Sequence, residues 1–492
     1  MAAPGGSGPG VLPATPRVPA LALSRALGGI HERRPSGAVP TALAPTPRGL
    51  PASAAAAAGG RKAAAPLLGV ATALGVGAAA RRARQRGRRH RSALATSGTS
   101  RSQTYFNFTG FPFPLGPLFE RRTVRTQVGD GIWTFEQEQS LANISVNVRM
   151  TVIRLESGGL WVHNPVAPTD ECDALLRELG LPVEYIVLGC AQYEHKIFVG
   201  PFARRWPDAK VFAVPQQWSW PIDLPSAFFG IFAAGDLKDR DESAPWAAEI
   251  EQRLLCPRDR LGFSYSAAEC AFFHKRSRTL VCTDALVYVP QEPPAVLDRG
   301  ELKALGRLNG NIVVDAVALT DWRGSGDIVR EAKSAEAEAQ PQDDAQLLRT
   351  GWQRDALLAL FFGPDGRSIV DPSKAFAAIA GRWLVGPVCY SLVYSGKIRQ
   401  EVCDWAESLC EWDIQQILPS HFAGPVQGTA ADVRRAFDVL RQPDSASEAA
   451  EPEGGFALPW PFPQPAQPIR YRPQDLQLLT DLRDVLLKLK VI

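Results

Sequence analysis

Acidic side chains are almost absent from the first hundred positions of this chain, where Glu32 stands alone against 14 Lys and Arg. Of the 54 basic and 51 acidic residues in the whole sequence, 40 and 50 therefore belong to residues 101–492. The net charge of +3 averages a leader near +13 and a body near −10. An acidic body lacks the basic face that binding to a phosphate backbone needs, so nucleic acid is not an expected partner. Cysteine is present without pattern. All eight cysteines lie in the body, none spaced as CxxC, which excludes a disulfide scaffold and favours free thiols in a reducing compartment. Histidine is scarce: six in all, two of them in the leader, leaving His163, His195, His274 and His421. No internal repeat is present.

Residues 1–101 are rich in Ala, Gly, Pro, Ser and Arg, the composition of an organelle transit segment. Their apolar residues are mostly Ala, too small to bury a core, so disorder is expected. Ala63–Ala80 is an uncharged run of 18 residues, followed by the basic cluster Arg81–Arg91. That length just spans a bilayer, and the cluster would set its orientation. The run is Ala/Gly-rich and weakly apolar, which argues for a transient membrane segment. The expectation is a plastid leader, with the body left soluble in the stroma and membrane contact confined to the leader. A mitochondrial leader and a retained anchor through residues 63–80 are the alternatives.

The body opens with a Pro- and aromatic-rich arm, residues 106–125, expected to be extended. Short β-like runs follow at Gly131–Glu136, Arg149–Leu155 and Leu160–His163. The pattern then changes. Thr169 is a plausible N-cap with Asp170 and Glu171 behind it, and Gly180 sits where a helix stop belongs. A buried strand at Tyr185–Leu188, a helix at Lys196–Arg205 and a strand at Lys210–Val214 argue for an α/β layered domain over residues 102–441. Residues 216–262 read as a Trp/Pro-rich insert, and 323–350 as a polar, acidic, flexible one. Ala268–His274 and Arg278–Leu286 read as a hairpin, and a helix near Ile398–Trp412 leads into a strand, Ile414–Leu418. Residues 442–492 read as a Pro-rich tail ending in an amphipathic helix, about Pro473–Lys490, that docks on the domain or on a partner.

Three segments carry chemistry. In Tyr185–Pro215 a buried strand runs into Glu194-His195, and an adjacent carboxylate and imidazole at a strand-to-helix turn can both reach one metal ion. In Arg278–Val289 an apolar strand ends in Asp284, a carboxylate that must be paired, capped or metal-bound if buried. In Gln415–Pro425, His421 stands just past a strand. Each has a plainer reading: a structural acid–imidazole pair, a capped turn and a loop histidine. His274, with Arg276 and Arg278, is either a hairpin-end cluster or a holder of an anionic substrate group. His163 reads as a core imidazole. Cys190 reads as a small buried filler at the mouth of the site loop, since no base stands near it to make a nucleophile.

Strand, acid–His, helix, then hairpin with Thr-Asp, then strand with Pro-x-His is the motif order of the metallo-β-lactamase superfamily, which the body resembles. Over about residues 106–441 it looks like one branch of it, domain-of-unknown-function family 4336, found in plants, algae and cyanobacteria. The resemblance is carried by GGLWVHNPVAPT, YEHKIFVGPFARRWPDAKV, QQWSWP, FFHKRSRTLVCTDA and LPSHF. It implies an αββα sandwich. The superfamily's His-x-His-x-Asp-His maps onto Cys190, Gln192, Glu194 and His195, and its next histidine maps near Tyr265. One metal site is thereby emptied. Glu194, His195, Asp284 and His421 remain as a full set for the other, and His163 replaces an early strand-end aspartate. The resemblance thus implies one zinc, iron or manganese ion, or none, and a hydrolase of a small anionic substrate. The rival readings are a non-catalytic ligand- or protein-binding relative and a membrane-associated assembly factor.

Overall fold

The computed structural model describes residues 121–141, 144–217, 225–258, 266–320, 324–339, 342–394, 396–441 and 470–488. The leader with its apolar run 63–80, the arm up to residue 120, Tyr265 and tail residues 442–469 lie outside them.

The first sheet is built in chain order from seven strands: β1 (Thr123–Gly129), β2 (Ile132–Leu141), β3 (Ile144–Arg154), β4 (Leu160–His163), β5 (Val183–Leu188), β6 (Lys210–Ala213) and β7 (Gly235–Asp236). β1 to β4 pair antiparallel and β4 to β7 parallel. The β1–β2 hairpin turns on Asp130-Gly131, where Gly131 takes φ +69°, a left-handed conformation that glycine adopts freely. The switch to parallel pairing follows from α1 (Asp170–Arg177) and α2 (Tyr193–Arg205), which carry the chain back across the sheet. Thr169 caps α1, its hydroxyl accepting the Cys172 N–H.

The second sheet has the order β14 (Val426–Gln427), β13 (Gln416–Leu418), β10 (Thr279–Val281), β9 (Glu269–His274), β8 (Ile250–Leu255), with β10 and β13 parallel and the other pairs antiparallel, while β11 (Val287–Tyr288) and β12 (Trp383–Leu384) form a separate antiparallel pair. Alternation along the strands separates the layers. Trp161, Val187, Phe272, Val281 and Leu418 meet between the two sheets. Val162, Ile186 and Leu188 point the other way, against Leu176 of α1 and Ile197 and Phe202 of α2. On the far side of the second sheet, Leu280 and Ile417 share a core with Trp352, Leu409 and Phe437. Those three residues belong to helices 344–361, 399–409 and 430–441. The result is helix, sheet, sheet, helix: the αββα sandwich that the resemblance implied.

Three local expectations need correction. Residues 323–350 are largely helical rather than a flexible loop: Gly326–Glu338 and Asp344–Phe361 are α-helices. Their Ala, Glu, Lys, Gln and Leu are strong helix formers, and charge alone is a poor sign of disorder. Within 216–262, Ile250–Leu255 is an integral edge strand of the second sheet. Helix α2 starts at Tyr193, three residues before the expected Lys196, so Glu194 and His195 stand in its first turn. At the C-terminus, helix Pro473–Lys488 buries Leu476 and Leu479 in the main core, and the Tyr471 hydroxyl donates to the Val385 carbonyl. Among the described residues, no helix is long and apolar enough to cross a membrane.

Candidate metal centre

Three strand ends meet at one edge of the sandwich. β5 leads through Cys190 to α2, β10 runs into Thr283-Asp284, and β13 into Pro419-Ser420-His421. The side chains of Glu194, His195, Asp284 and His421 converge there, with one potential ligand atom from each within 4.8 Å of every other. Three are closer still. The Nε2 atoms of His195 and His421 are 3.2 Å apart. Asp284 Oδ1 lies 3.1 Å from His421 Nε2 and 3.6 Å from His195 Nε2.

Each donor is aimed by its surroundings. His421 Nδ1 donates to the Asn147 carbonyl at 2.8 Å, which leaves the Nε2 lone pair facing the cluster in the neutral ring. The His421 loop is fastened to β3: the Arg149 N–H donates to Ser420 O at 2.8 Å and the Phe422 N–H to Asn147 Oδ1 at 2.8 Å. Arg149 itself is buried, paired with Glu136 at 2.7 Å, and its guanidinium donates to the Pro419 and Phe422 carbonyls. His195 is almost fully buried by its place in the first turn of α2. Asp284 is fixed by Glu269, whose carboxyl accepts the Thr283 N–H at 2.7 Å and the Asp284 N–H at 3.1 Å.

Asn164 ties the strand ends together. At φ +48° it accepts the Gly189 N–H at 2.9 Å and donates to the Thr283 hydroxyl at 2.9 Å and the Ser420 hydroxyl at 3.2 Å.

The electrostatics follow from burial among these groups. Burial opposes ionisation of Asp284, but the His195 and His421 imidazoles outweigh it and hold the carboxyl well below the ordinary range. Burial also disfavours charge on His421, yet its hydrogen bond to Asp284 raises its pKa. Glu269 is pushed up to about 8 by burial and then by the Asp284 charge, despite the backbone donors that favour its anion.

The donor set fits a metal ion on three counts. Donors about 2.05 Å from a tetrahedral zinc stand about 3.3 Å from one another, and the three separations here, 3.1, 3.2 and 3.6 Å, bracket that value. Two imidazole nitrogens and a carboxylate oxygen are donors shared by zinc, iron and manganese. Asp284 Oδ2 is buried without a hydrogen-bond partner, a costly state for a carboxylate unless something else meets it. Glu194, half-buried like Asp284 and His421, completes the set within the 4.8 Å span but outside the close trio.

The remaining candidates separate. Cys190 is buried beside the cluster, bridged through its backbone to Glu269. Burial, then the Asp284, Glu269 and Glu194 charges, lift its thiol well above the usual range, which opposes the thiolate that a nucleophile needs. Gln192 is half-buried at the N-cap of α2, without a side-chain capping bond. His163 is fully buried and stacks on Trp161, centroids 5.7 Å apart, with Nε2 3.5 Å from the Thr283 hydroxyl. Burial, then the nearby His195, lowers its pKa to about 3, which keeps the ring neutral.

The cluster of His274, Arg276 and Arg278 does not line the site. β9 and β10 have Glu269 and Asp284 at their site end, whereas His274 to Arg278 form the turn at the other end. Six strand residues put roughly 17 Å between the two. Arg276 pairs there with Asp130 at 3.2 Å and Arg278 with Asp413 at 3.0 Å.

Sequence reasoning passed over Glu269, Asn164, Asn147 and Arg149. Only Glu269 left a signal, as a lone acid opening the otherwise apolar run ECAFFH.

The chain belongs to the family described as Domain of unknown function (DUF4336), which matches residues 129–377 and 369–439. No curated protein sequence matches it. Among solved structures, the metal-soaked flavodiiron core Flv1 from Synechocystis sp. PCC6803 is 10% identical, with a TM-score of 0.34 over 65% of this chain and 61% of that one. The flavodiiron protein from Giardia intestinalis is 10% identical, with a TM-score of 0.34 over 64% and 59%. A metallo-β-lactamase from Pontibacter korlensis is 10% identical, with a TM-score of 0.27 over 46% of this chain and 97% of that one. The chain thus spans about three-fifths of the flavodiiron structures it matches.

Proposed function

We propose that this protein holds one divalent metal ion on His195, His421 and Asp284, with Glu194 beside them, and acts as a metal-dependent hydrolase. The observation that carries the reading is the trio of donors at 3.1, 3.2 and 3.6 Å with a partnerless carboxylate oxygen beside them. A bound ion supplies Lewis-acid polarisation of a substrate oxygen and activation of water. The chain does the rest. Asn147 fixes the tautomer of His421, His195 is held buried, and Glu194, outside the close trio, is the carboxylate of the cluster left to accept a proton. With the basic hairpin end at the opposite edge, a preference for a small anionic substrate rests on the cation alone.

The plastid assignment belongs to this reading, since the leader's composition supports it. A mature N-terminus beyond residue 80 on the native protein is the expected result, and one before residue 63 contradicts it. The hydrolase itself is tested by loading the protein with zinc, iron(II) or manganese and screening carboxylic, thio- and phosphoric esters. Turnover that a chelator abolishes and that Glu194→Ala lowers supports the proposal. Turnover indifferent to the chelator refutes it. A full metal complement with no turnover on any ester favours the non-catalytic, ligand-binding alternative.

A further inference from the structure

We infer that Glu269 is the positioning residue of this centre: a buried carboxyl that locks the Asp284 loop to the strand end whose backbone also holds the His195 loop, so that the ligand geometry exists before any ion arrives.

The side chain is 3% exposed and spans from β9 to the loop after β10. Its two oxygens accept the N–H groups of Thr283 at 2.7 Å and Asp284 at 3.1 Å, with the Ala285 amide turned toward the same carboxyl. Consecutive amides converging on one carboxyl fix the backbone direction of the segment, and so the direction in which Asp284 leaves it. Backbone bonds at the same strand end hold the other loop. The Ala191 N–H donates to Ala268 O at 3.1 Å and the Cys270 N–H to Gly189 O at 2.7 Å. Glu269 therefore stands between the loop that leads to His195 and the loop that carries Asp284, touching neither ligand's donor atoms. A purely apolar residue at the start of β9 would leave the Thr283 and Asp284 amides buried and unpaired. Partners of this kind around a metal site change its affinity by about 10- to 100-fold when they are lost.

Glu269→Gln is the sharpest probe. It conserves shape and one acceptor, but turns an NH₂ group toward one of the two amides. Two readouts are taken on the full chain. Amide hydrogen exchange of the metal-free protein reads the loop, and zinc titration against a chromogenic chelator reads the site. The expected result is exchange at Thr283 and Asp284 faster by about ten-fold, with Leu280 in β10 unchanged, and zinc affinity about 10- to 100-fold weaker. Glu269→Asp, which keeps the carboxyl on a shorter arm, should fall between Gln and wild type in both, and it replaces Gln if that variant does not fold. A folded Gln variant within two-fold of wild type in exchange overturns the inference. The affinity arm rests on the reading of this site as a metal centre and the exchange arm does not, so a wild type that binds no zinc sinks that reading and leaves the clamp to be judged by exchange.

Discussion

Replacing Asn164 by Ala should cost the protein far more than the loss of one polar side chain normally does. The side chain is 1% exposed and makes three hydrogen bonds, to the Gly189 amide and to the Thr283 and Ser420 hydroxyls. The two hydroxyls, which accept from Asn164, each lose a donor but can rotate to meet another; the Gly189 N–H cannot, and a buried amide left unpaired costs about 1–3 kcal/mol. Asn164 also stands at φ +48°, a region that Asn tolerates through local hydrogen bonding and that costs Ala roughly 1 kcal/mol more. The sum is about 2–4 kcal/mol. Urea unfolding at constant slope measures it as a shift of the midpoint. Asn164→Gly separates the two parts, because it removes the hydrogen bonds and relieves the backbone, and should recover about 1 kcal/mol relative to Ala. An Ala variant within about 0.5 kcal/mol of wild type, the range of an ordinary surface change, would refute the argument that this residue ties the strand ends together.

Two further outcomes follow from the same neighbourhood. A Cβ on Gly189 would lie 2.2 Å from His163 Nε2 and 3.2 Å from the Thr283 hydroxyl, so Gly189→Ala should prevent stable folding, measured as loss of soluble protein. Adding His163→Ala should partly rescue it, a non-additivity expected of touching residues. His163 also sets a pH dependence. Its folded pKa of about 3 lies below the unfolded 6.5, so its contribution is complete above pH 6.5 and is lost as pH falls toward 3. The chelated protein should therefore lose about 2 kcal/mol from this ring between pH 6.5 and 5, at about 1.4 kcal/mol per unit and proton. His274, lowered to about 4 by burial and then Arg276, adds with the same sign. His421, being raised, contributes fully throughout that window. Urea midpoints independent of pH between 7 and 5, or a His163 ring that titrates in that range by NMR, would contradict this.

The converging residues were legible in the sequence: local pattern marked three separate segments, and the family resemblance joined them into one set of four. Glu194-His195, Asp284 and His421 are polar residues at the ends of apolar runs, and strand ends are where layered α/β folds gather their sites. The supporting shell was not, since Asn164 and Asn147 act through partners 25 to 275 positions away. The basic hairpin end was misplaced for a reason the sequence did contain. A hairpin's turn lies at the far end from the residues that open its first strand and follow its second, so a site at Asp284 cannot include Arg276. The helices of 326–361 were hidden by their acidity, although Ala-, Glu- and Leu-rich stretches are good helix formers whatever their charge.

The most direct test of the central claim is metal content. The body, residues 102–492, is to be purified without a metal-affinity tag and its bound metals measured by elemental mass spectrometry beside His195→Ala and His421→Ala. The account requires about one equivalent in the wild type and loss of it in both variants, since removing either imidazole leaves one nitrogen and one carboxylate donor of the close trio. A well-folded wild type that holds no metal after loading with zinc, iron(II) and manganese, or variants that retain it, would contradict the account.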